Sequence, residues 1–338
     1  VDGQSMVMSH MVTRLRMALP HLTVCDTAEP MAGRRLRTLV KLGRTARACR
    51  AVPGSDAVYI AVKANRGMWL SAGTALIARW CRARIFLHHH SYTYILDRTP
   101  RMVALTRAAG PDAHHIVLAE SMARSLRAVM PEIHTALVLN NAGLVDRSLL
   151  DIPLRDDGAE IVLGHLSNLV LAKGIAEVVD LALALHRAGT RVRLIVGGPI
   201  VQDAGRVHLD RAARGLGAMF DYRGPLTGAA KRAFFEEITH FAFPSRYAHE
   251  SVPLVLYEAM AAGAVCLSTR HGSIPEQLAG GPAVIADSTD TFLDDVLPAL
   301  VGASVSHAGS ARSREVYLRA LNDFESQFRA FVGLAAGR

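Results

Sequence analysis

Two glutamates, Glu250 and Glu258, bracket an apolar run in HESVPLVLYEAMAAG at 249–263. On one continuous helix an eight-residue spacing leaves them about 80° apart and ~12 Å along the axis, a poor arrangement for sharing a proton. Pro253 changes the geometry. Proline is favoured at the first helical position, and it pushes the residue before it towards an extended conformation. The predicted helix therefore runs from Pro253 to Ala262, with Gly263 as its stop. Glu250 then falls in the loop ahead of the helix, and Glu258 little more than one turn inside it. A helix start offers free N–H groups and a positive partial charge. Carboxylates on either side of it suit a ligand that carries hydroxyls around an anion.

A second candidate group ends a strand-like run, RIFLHHH, at His88, His89 and His90. Strand alternation puts His88 and His90 on one face and His89 on the other. A metal chelate is one reading of such a triplet, but no cysteine or acid cluster lies near it in sequence. Core histidines are another. No acidic cluster of the DxD kind is visible downstream either, so the sequence asks for no metal and no other cofactor.

The elements that must position these residues alternate. AVYIAV, RIFLHH, HIVLA and TALVLN read as strands in the first half. Helical patterns lie between them at 71–81 and 121–129, the second with Ser121 as its expected N-cap. EIVLGHLS, RVRLIVGGP, THFAFPS, AVCLST and PAVIA continue the series, with helices expected at about 173–188, 203–217, 228–238 and 253–262. Such alternation specifies α/β architecture with parallel sheets and helices on both faces. Two series imply two doubly wound Rossmann-like domains, 1–150 and 151–338, divided near LVDRSLLDIPLRDDGAE, where periodicity lapses. The first domain opens on a helical pattern where a strand is expected, so its first strand looks to be missing.

Of the 338 residues half are hydrophobic, which is enough for two cores. The four cysteines form no CxxC pair, no apolar run reaches membrane-span length and no signal-peptide pattern is present, so a cytoplasmic setting is expected. The formal net charge of +8 divides unevenly, about +11 on residues 1–150 and −3 on the rest. MAGRRLRTLVKLGRTARACR at 31–50 holds Arg34, Arg35, Arg37 and Lys41 among leucines, without an acid. A basic helix with an apolar side fits an anionic membrane surface, or else a solvated face. Nucleic acid is not expected, because no recognition motif or aromatic platform accompanies the charge.

HESVPLVLYEAMAAGAVCLST followed by HGSIPEQL resembles the signature segment of the family 4 glycosyltransferases, retaining enzymes of the GT-B fold. The likeness continues through LSNLVLAKGIAEVVDLAL, LIVGGP, DYRGPL and FAFPSRY, and covers most of residues 160–280; DGQS, FLHHHSY, VLAESM and LVLNNAG match more loosely. It implies two Rossmann-like domains facing across a cleft, with the last helix packing back on the first domain. The donor is a nucleotide-diphosphate sugar. Glu258 would bind its ribose, Glu250 would meet the sugar, and Lys173 would hold the diphosphate as negative charge grows on it. Ser167 and Asn168 stand where the family usually has an arginine. Since Pro253 has no N–H, the anion would fall to the backbone beside it, at Ser251, Val252 and Leu254. Gly198 and Gly3 would let the backbone approach the donor closely. Glu276 would border the pocket, and one of His88, His89 and His90 would match an active-site histidine.

The function implied is transfer of a sugar to an acceptor, a lipid-linked glycan of the cell envelope, by a protein peripheral on the inner face of the plasma membrane. Alternatives are another GT-B enzyme, such as a sugar-nucleotide epimerase or a phosphorylase, and an inactive sugar-nucleotide-binding protein. Glu258→Ala is expected to weaken nucleotide binding and leave the fold intact, as for any exposed helical glutamate.

Overall fold

The computed structural model describes residues 3–27 and 34–337; side chains of residues 3–6, 34–39 and 41 lie outside the description. The chain divides into two compact units, Val1–Leu144 with Phe324–Arg338, and Val145–Asp323.

The first unit begins with α1 (Gly3–Ala18) and α2 (Arg34–Arg50). An alternating series follows: β1 (Ala57–Ala61), α3 (Met68–Trp80), β2 (Arg84–His88), α4 (Pro100–Ala109), β3 (His114–Val117), α5 (Glu120–Val129) and β4 (Ala136–Val138). The four strands are parallel, in the order β1-β2-β3-β4. Each crossover carries one helix, as parallel pairing requires. The rings of Phe86 on β2 and Tyr59 on β1 lie 5.1 and 5.8 Å from that of Phe331, so the C-terminal end of the chain covers one face of the sheet. Local chemistry explains α4, where the Thr99 side chain accepts from the Met102 N–H and Pro100 opens the helix. At α5 the cap is Ala119 and not Ser121, which lies inside the first turn.

The second unit runs β5 (Ile161–Leu166), α6 (Ile175–Arg187), β6 (Val192–Gly197), α7 (Asp203–Leu216), β7 (Phe220–Tyr222), α8 (Gly228–Glu237), β8 (His240–Phe243), α9 (Leu254–Ala261), β9 (Val265–Thr269), α10 (Ile274–Gln277), β10 (Val284–Ala286), α11 (Phe292–Leu300) and α12 (His307–Ala336). From Phe324 onward α12 belongs to the first unit. All six strands are parallel, in the order β7-β6-β5-β8-β9-β10. The order reverses between β5 and β8, and in doubly wound sheets ligands bind beyond the carboxyl ends of the strands at such a switch point. A core of Leu163, Val178, Leu181, Leu194, Phe292 and Val296 seals one face beneath α6, α7 and α11. Buried on both faces, β5 and β8 read as near-continuous apolar runs. Arg155, in the segment leading into β5, is buried with its guanidinium donating to the carbonyls of Ile238, Phe235 and Pro153 at 2.8, 2.6 and 2.9 Å.

No helix among the described residues is long and apolar enough to cross a membrane. Helix α2 spans the basic segment as expected, but the side chains of Arg34, Arg35, Arg37 and Lys41 lie outside the described residues. Gly3, expected in a phosphate-approaching turn, instead opens α1.

Candidate active site at the strand switch point

The loop after β5 and the loop after β8 meet beyond the carboxyl ends of their strands. Gly174 holds a left-handed conformation (φ 89°), and a Cβ there would sit 2.4 Å from the Pro244 carbonyl oxygen. Only glycine allows that approach. It brings Lys173 against the turn that carries Glu250, and the Arg246 N–H donates to the Ala172 carbonyl at 2.9 Å. A second close approach fixes the other side. Gly198 has φ 118°, and a Cβ on it would lie 1.7 Å from the Ser167 carbonyl oxygen. The loops after β5 and β6 are thus pressed together, with Ser167 partly buried and Asn168 exposed between them.

Lys173 Nζ forms an ion pair with Glu250 Oε2. The Lys173 and Glu250 side chains retain 19 and 11% exposure, enough for a ligand to reach them. Fully buried Ser245 donates to the same Glu250 oxygen at 3.4 Å. Lys173 Nζ also lies 4.8 Å from the Tyr247 ring centroid and 5.4 Å from that of Phe243, so aromatic faces help hold the cation. His165 ties the strands together beneath this cluster. Its Nδ1 lies 2.9 Å from the Ala242 carbonyl, which can only accept, so Nε2 is left to accept from Ser167 Oγ at 2.8 Å. Burial, opposed in part by the hydrogen bond to the Ala242 carbonyl and helped by nearby Lys173, lowers its pKa to about 4, so the imidazole is neutral.

Helix α9 begins at Leu254, with Pro253 as N-cap and Gly263 in the left-handed conformation past its end. The proline thus sits one position earlier than expected, and Glu250 lies in the turn before it. Ser251 and Val252 are buried, and Leu254 takes the first helical position. Glu258 corrects the sequence reading. It is buried at 4% exposure, not on an exposed face, and its Oε1 pairs with Lys231 Nζ of α8 at 2.5 Å. A carboxylate taken that far from water needs a partner. Oε1 takes Lys231, and the carboxylate keeps lone pairs that can accept further hydrogen bonds. Glu276 is exposed on α10; its electrostatic influence falls on the buried Tyr257 hydroxyl, whose ring neighbours Tyr317. No described contact brings Glu276 to Lys173 or Glu250.

In the first unit the histidines separate by face. His88 Nδ1 lies 2.5 Å from the Tyr59 hydroxyl, and its ring centroid is 4.0 Å from that of His90. His89 points the other way, with Nε2 3.0 Å from Nδ1 of His115. Burial and neighbouring histidines hold His88 and His89 well below the usual imidazole range, and burial lowers His90 to about 4. His88 and His89 are fully buried, while His90, past the strand end, is only partly so. The Nε2 atom of His90 is nonetheless buried, as is that of His88, so burial does not separate the three. Among the described residues no group of three or more His, Cys, Asp or Glu is arranged to hold a metal ion.

Sequence reasoning missed Lys231, Ser245 and His165. Ser245 lay within the quoted FAFPSRY, and Gly164–His165 within EIVLGHLS, but nothing local marked either as a support.

Two parallel-sheet α/β units, the second doubly wound with a lysine and a carboxylate at its switch point, are the architecture of the GT-B fold. Residues 150–294 match the model of the family described as glycosyl transferases group 1. HepE from Anabaena, solved with UDP and glucose, superposes with a TM-score of 0.67 at 14% identity, covering 95% of this chain and 88% of that one. Sucrose-phosphate synthase from Thermosynechococcus elongatus gives 0.62 at 16% identity, over 93% of this chain and 80% of that one. The pneumococcal O-GlcNAc transferase GtfA, solved with UDP and GlcNAc, gives 0.64 at 11% identity, over 87 and 60%. At these identities the likeness establishes the fold. No curated protein matches the chain in sequence.

Proposed function

We propose that the protein is a retaining glycosyltransferase that moves a sugar from a nucleotide-diphosphate donor to a lipid-linked glycan of the cell envelope. The observation that carries the reading is the Lys173–Glu250 pair at the strand switch point, with Glu258 on the helix that follows. The UDP bound to HepE and to GtfA makes uridine diphosphate sugars the first donors to try. The nucleotide sugar is a co-substrate, and the proposed reaction calls on no further cofactor.

In this reading Glu258 accepts hydrogen bonds from the ribose hydroxyls. Lys173 and the backbone around Ser251, Val252 and Leu254 meet the diphosphate, with Ser167, Asn168 and Gly198 bordering it. As the bond from the anomeric carbon to the phosphate oxygen breaks, its electron pair stays on that oxygen. Charge grows where Lys173 already stands. Glu250, held by Lys173 and Ser245, accepts from a hydroxyl of the donor sugar. The acceptor oxygen forms its bond on the face the phosphate leaves, and its proton passes to the departing phosphate. Glu250 shares one oxygen with an ammonium and a hydroxyl, so it serves better as a positioned acceptor than as a nucleophile. One of His88, His89 and His90 is assigned to the sugar.

The basic first unit is assigned to the acceptor. Seven Lys or Arg residues at 34–50, with no acid, support attachment to an anionic membrane at the inner face of the plasma membrane. Incubation with a panel of nucleotide sugars and a lipid-linked acceptor, followed by NMR of the product anomer, tests the proposal. Transfer with retained configuration is expected. Release of free sugar or epimerised donor from nucleotide sugar and water alone would point to another GT-B activity.

A further inference from the structure

Helix α3 presents an unusual outer face. Trp69, Gly73, Leu76 and Trp80 fall within about 60° of one another at 100° per residue. Trp69, Leu76 and Trp80 are 52, 56 and 87% exposed. A Cβ built on Gly73 would meet nothing within 4 Å, so among the described residues nothing covers the middle of this stripe. The chain has two tryptophans, and both are here. Indole rings seldom stand this open in a protein that keeps them for packing.

Charge indicates the occupant. Residues 57–96 contain Lys63, Arg66, Arg79, Arg82 and Arg84 and no acid. Arg66, Arg79 and Arg82 are exposed around the two ends of the stripe, and among the described residues no acid pairs with them. Helix α2 packs beside α3, with Cys49 Sγ 3.8 Å from Thr74 Oγ1, and adds exposed Leu42, Arg47 and Arg50. Among the described residues Asp26 reaches α2, 3.4 Å from Arg44. An aromatic and aliphatic ridge ringed by arginines matches a surface whose interior is apolar and whose rim is anionic. Tryptophan settles at that depth in a bilayer, and arginine reaches the phosphates above it. A second copy of the same face would oppose like charges.

We propose that the Trp69–Leu76–Trp80 stripe of α3 seats the first unit on an anionic lipid surface, its indoles at headgroup level and Arg66, Arg79 and Arg82 on lipid phosphates. This rests on the membrane-surface reading above and extends it from α2 to α3. Electrostatic attraction alone falls away within a Debye length of about 8 Å at physiological salt, and the inserted rings supply a hold that salt does not screen.

Because both tryptophans lie on the stripe, intrinsic fluorescence reports on it alone. The full chain and its Trp69→Phe and Trp80→Phe variants are titrated with vesicles of phosphatidylglycerol and phosphatidylcholine, and with phosphatidylcholine alone. The expected result is a blue shift and protection from acrylamide in all three proteins, with anionic vesicles only. Leu76→Glu should lower co-sedimentation at least tenfold, with an unchanged melting temperature because Leu76 is half exposed. Sedimentation without any spectral change would overturn the α3 contact and leave the membrane reading standing. No sedimentation at low salt would overturn both. A blue shift that grows with protein concentration in the absence of lipid would instead assign the stripe to self-association, and the proposal would fall.

Discussion

Lys173 and Glu250, 77 residues apart in sequence, share an ion pair where the loops after β5 and β8 meet. The contact exists because Gly174 lets one loop rest on the Pro244 carbonyl of the other. It puts the cation that would meet a leaving phosphate beside the carboxylate that would meet the sugar. Ser245 and His165 hold the two sides without facing the reaction themselves.

Lys173→Ala should lower kcat more than it raises the KM for the donor, since the lysine acts on charge that develops during bond breaking. Loss of one such preorganised group costs about 10²–10³ in kcat. Lys173→Arg should rescue in part, because the guanidinium keeps the charge but changes the geometry. Steady-state kinetics check both, and unchanged turnover in Lys173→Ala would place the diphosphate elsewhere.

Lys231 and Glu258 should be coupled in stability. Lys231→Met strands a carboxylate that is 94% buried, and breaking a buried pair on one side costs about 3–5 kcal/mol. The double variant Lys231→Met/Glu258→Leu should recover most of that loss. Urea denaturation of the two singles and the double gives the coupling. A value near zero would mean that the pair is a surface contact.

Stability should fall in mild acid. His88 and His89 have native pKa values well below 6.5, and those of His115 and His165 are about 4. An unfolded histidine binds its proton near pH 6.5, while these native ones do not. The unfolded state therefore gains protons first, and stability drops from about pH 6.5 towards 4, by about 1.4 kcal/mol per pH unit for each such histidine. Denaturation midpoints at pH 7.5 and 5.5 measure the drop, and His115→Gln should reduce its slope.

Replacing Arg34, Arg35, Arg37 and Lys41 by Gln should release the protein from anionic vesicles, at about 1 kcal/mol per residue near the surface. Transfer to a water-soluble acceptor analogue should survive, because Lys173, Glu250 and Glu258 belong to the second unit. Equal sedimentation of parent and variant would make α2 a solvated helix.

What the sequence made legible follows from the range over which each pattern acts. The near-continuous apolar runs of β5, β6 and β8 and the Pro253–Gly263 punctuation of α9 are local, and both could be read. β7 has three residues, too few to show a strand period, and its DYRGPL segment was noticed only as a likeness. The Lys231–Glu258 pair depends on how α8 packs against α9, and no spacing along the chain encodes it. Glu258 looked like an exposed helical acid for the same reason. The α3 stripe was missed by register: a helix begun at Ser71 leaves out Trp69, and Trp80 then looks like a lone aromatic.

In the proposed function the second unit binds a nucleotide-diphosphate sugar at the β5–β8 switch point through Glu258 and Lys173. Calorimetry with a nucleoside diphosphate, UDP first, tests it most directly, comparing the parent chain with Glu258→Ala after both are shown to be folded at the same temperature. A single site is expected in the parent. Binding in the variant should be about 1.5–3 kcal/mol weaker, the cost of a lost charge-assisted hydrogen bond. Equal affinity in the two proteins would contradict the proposed function.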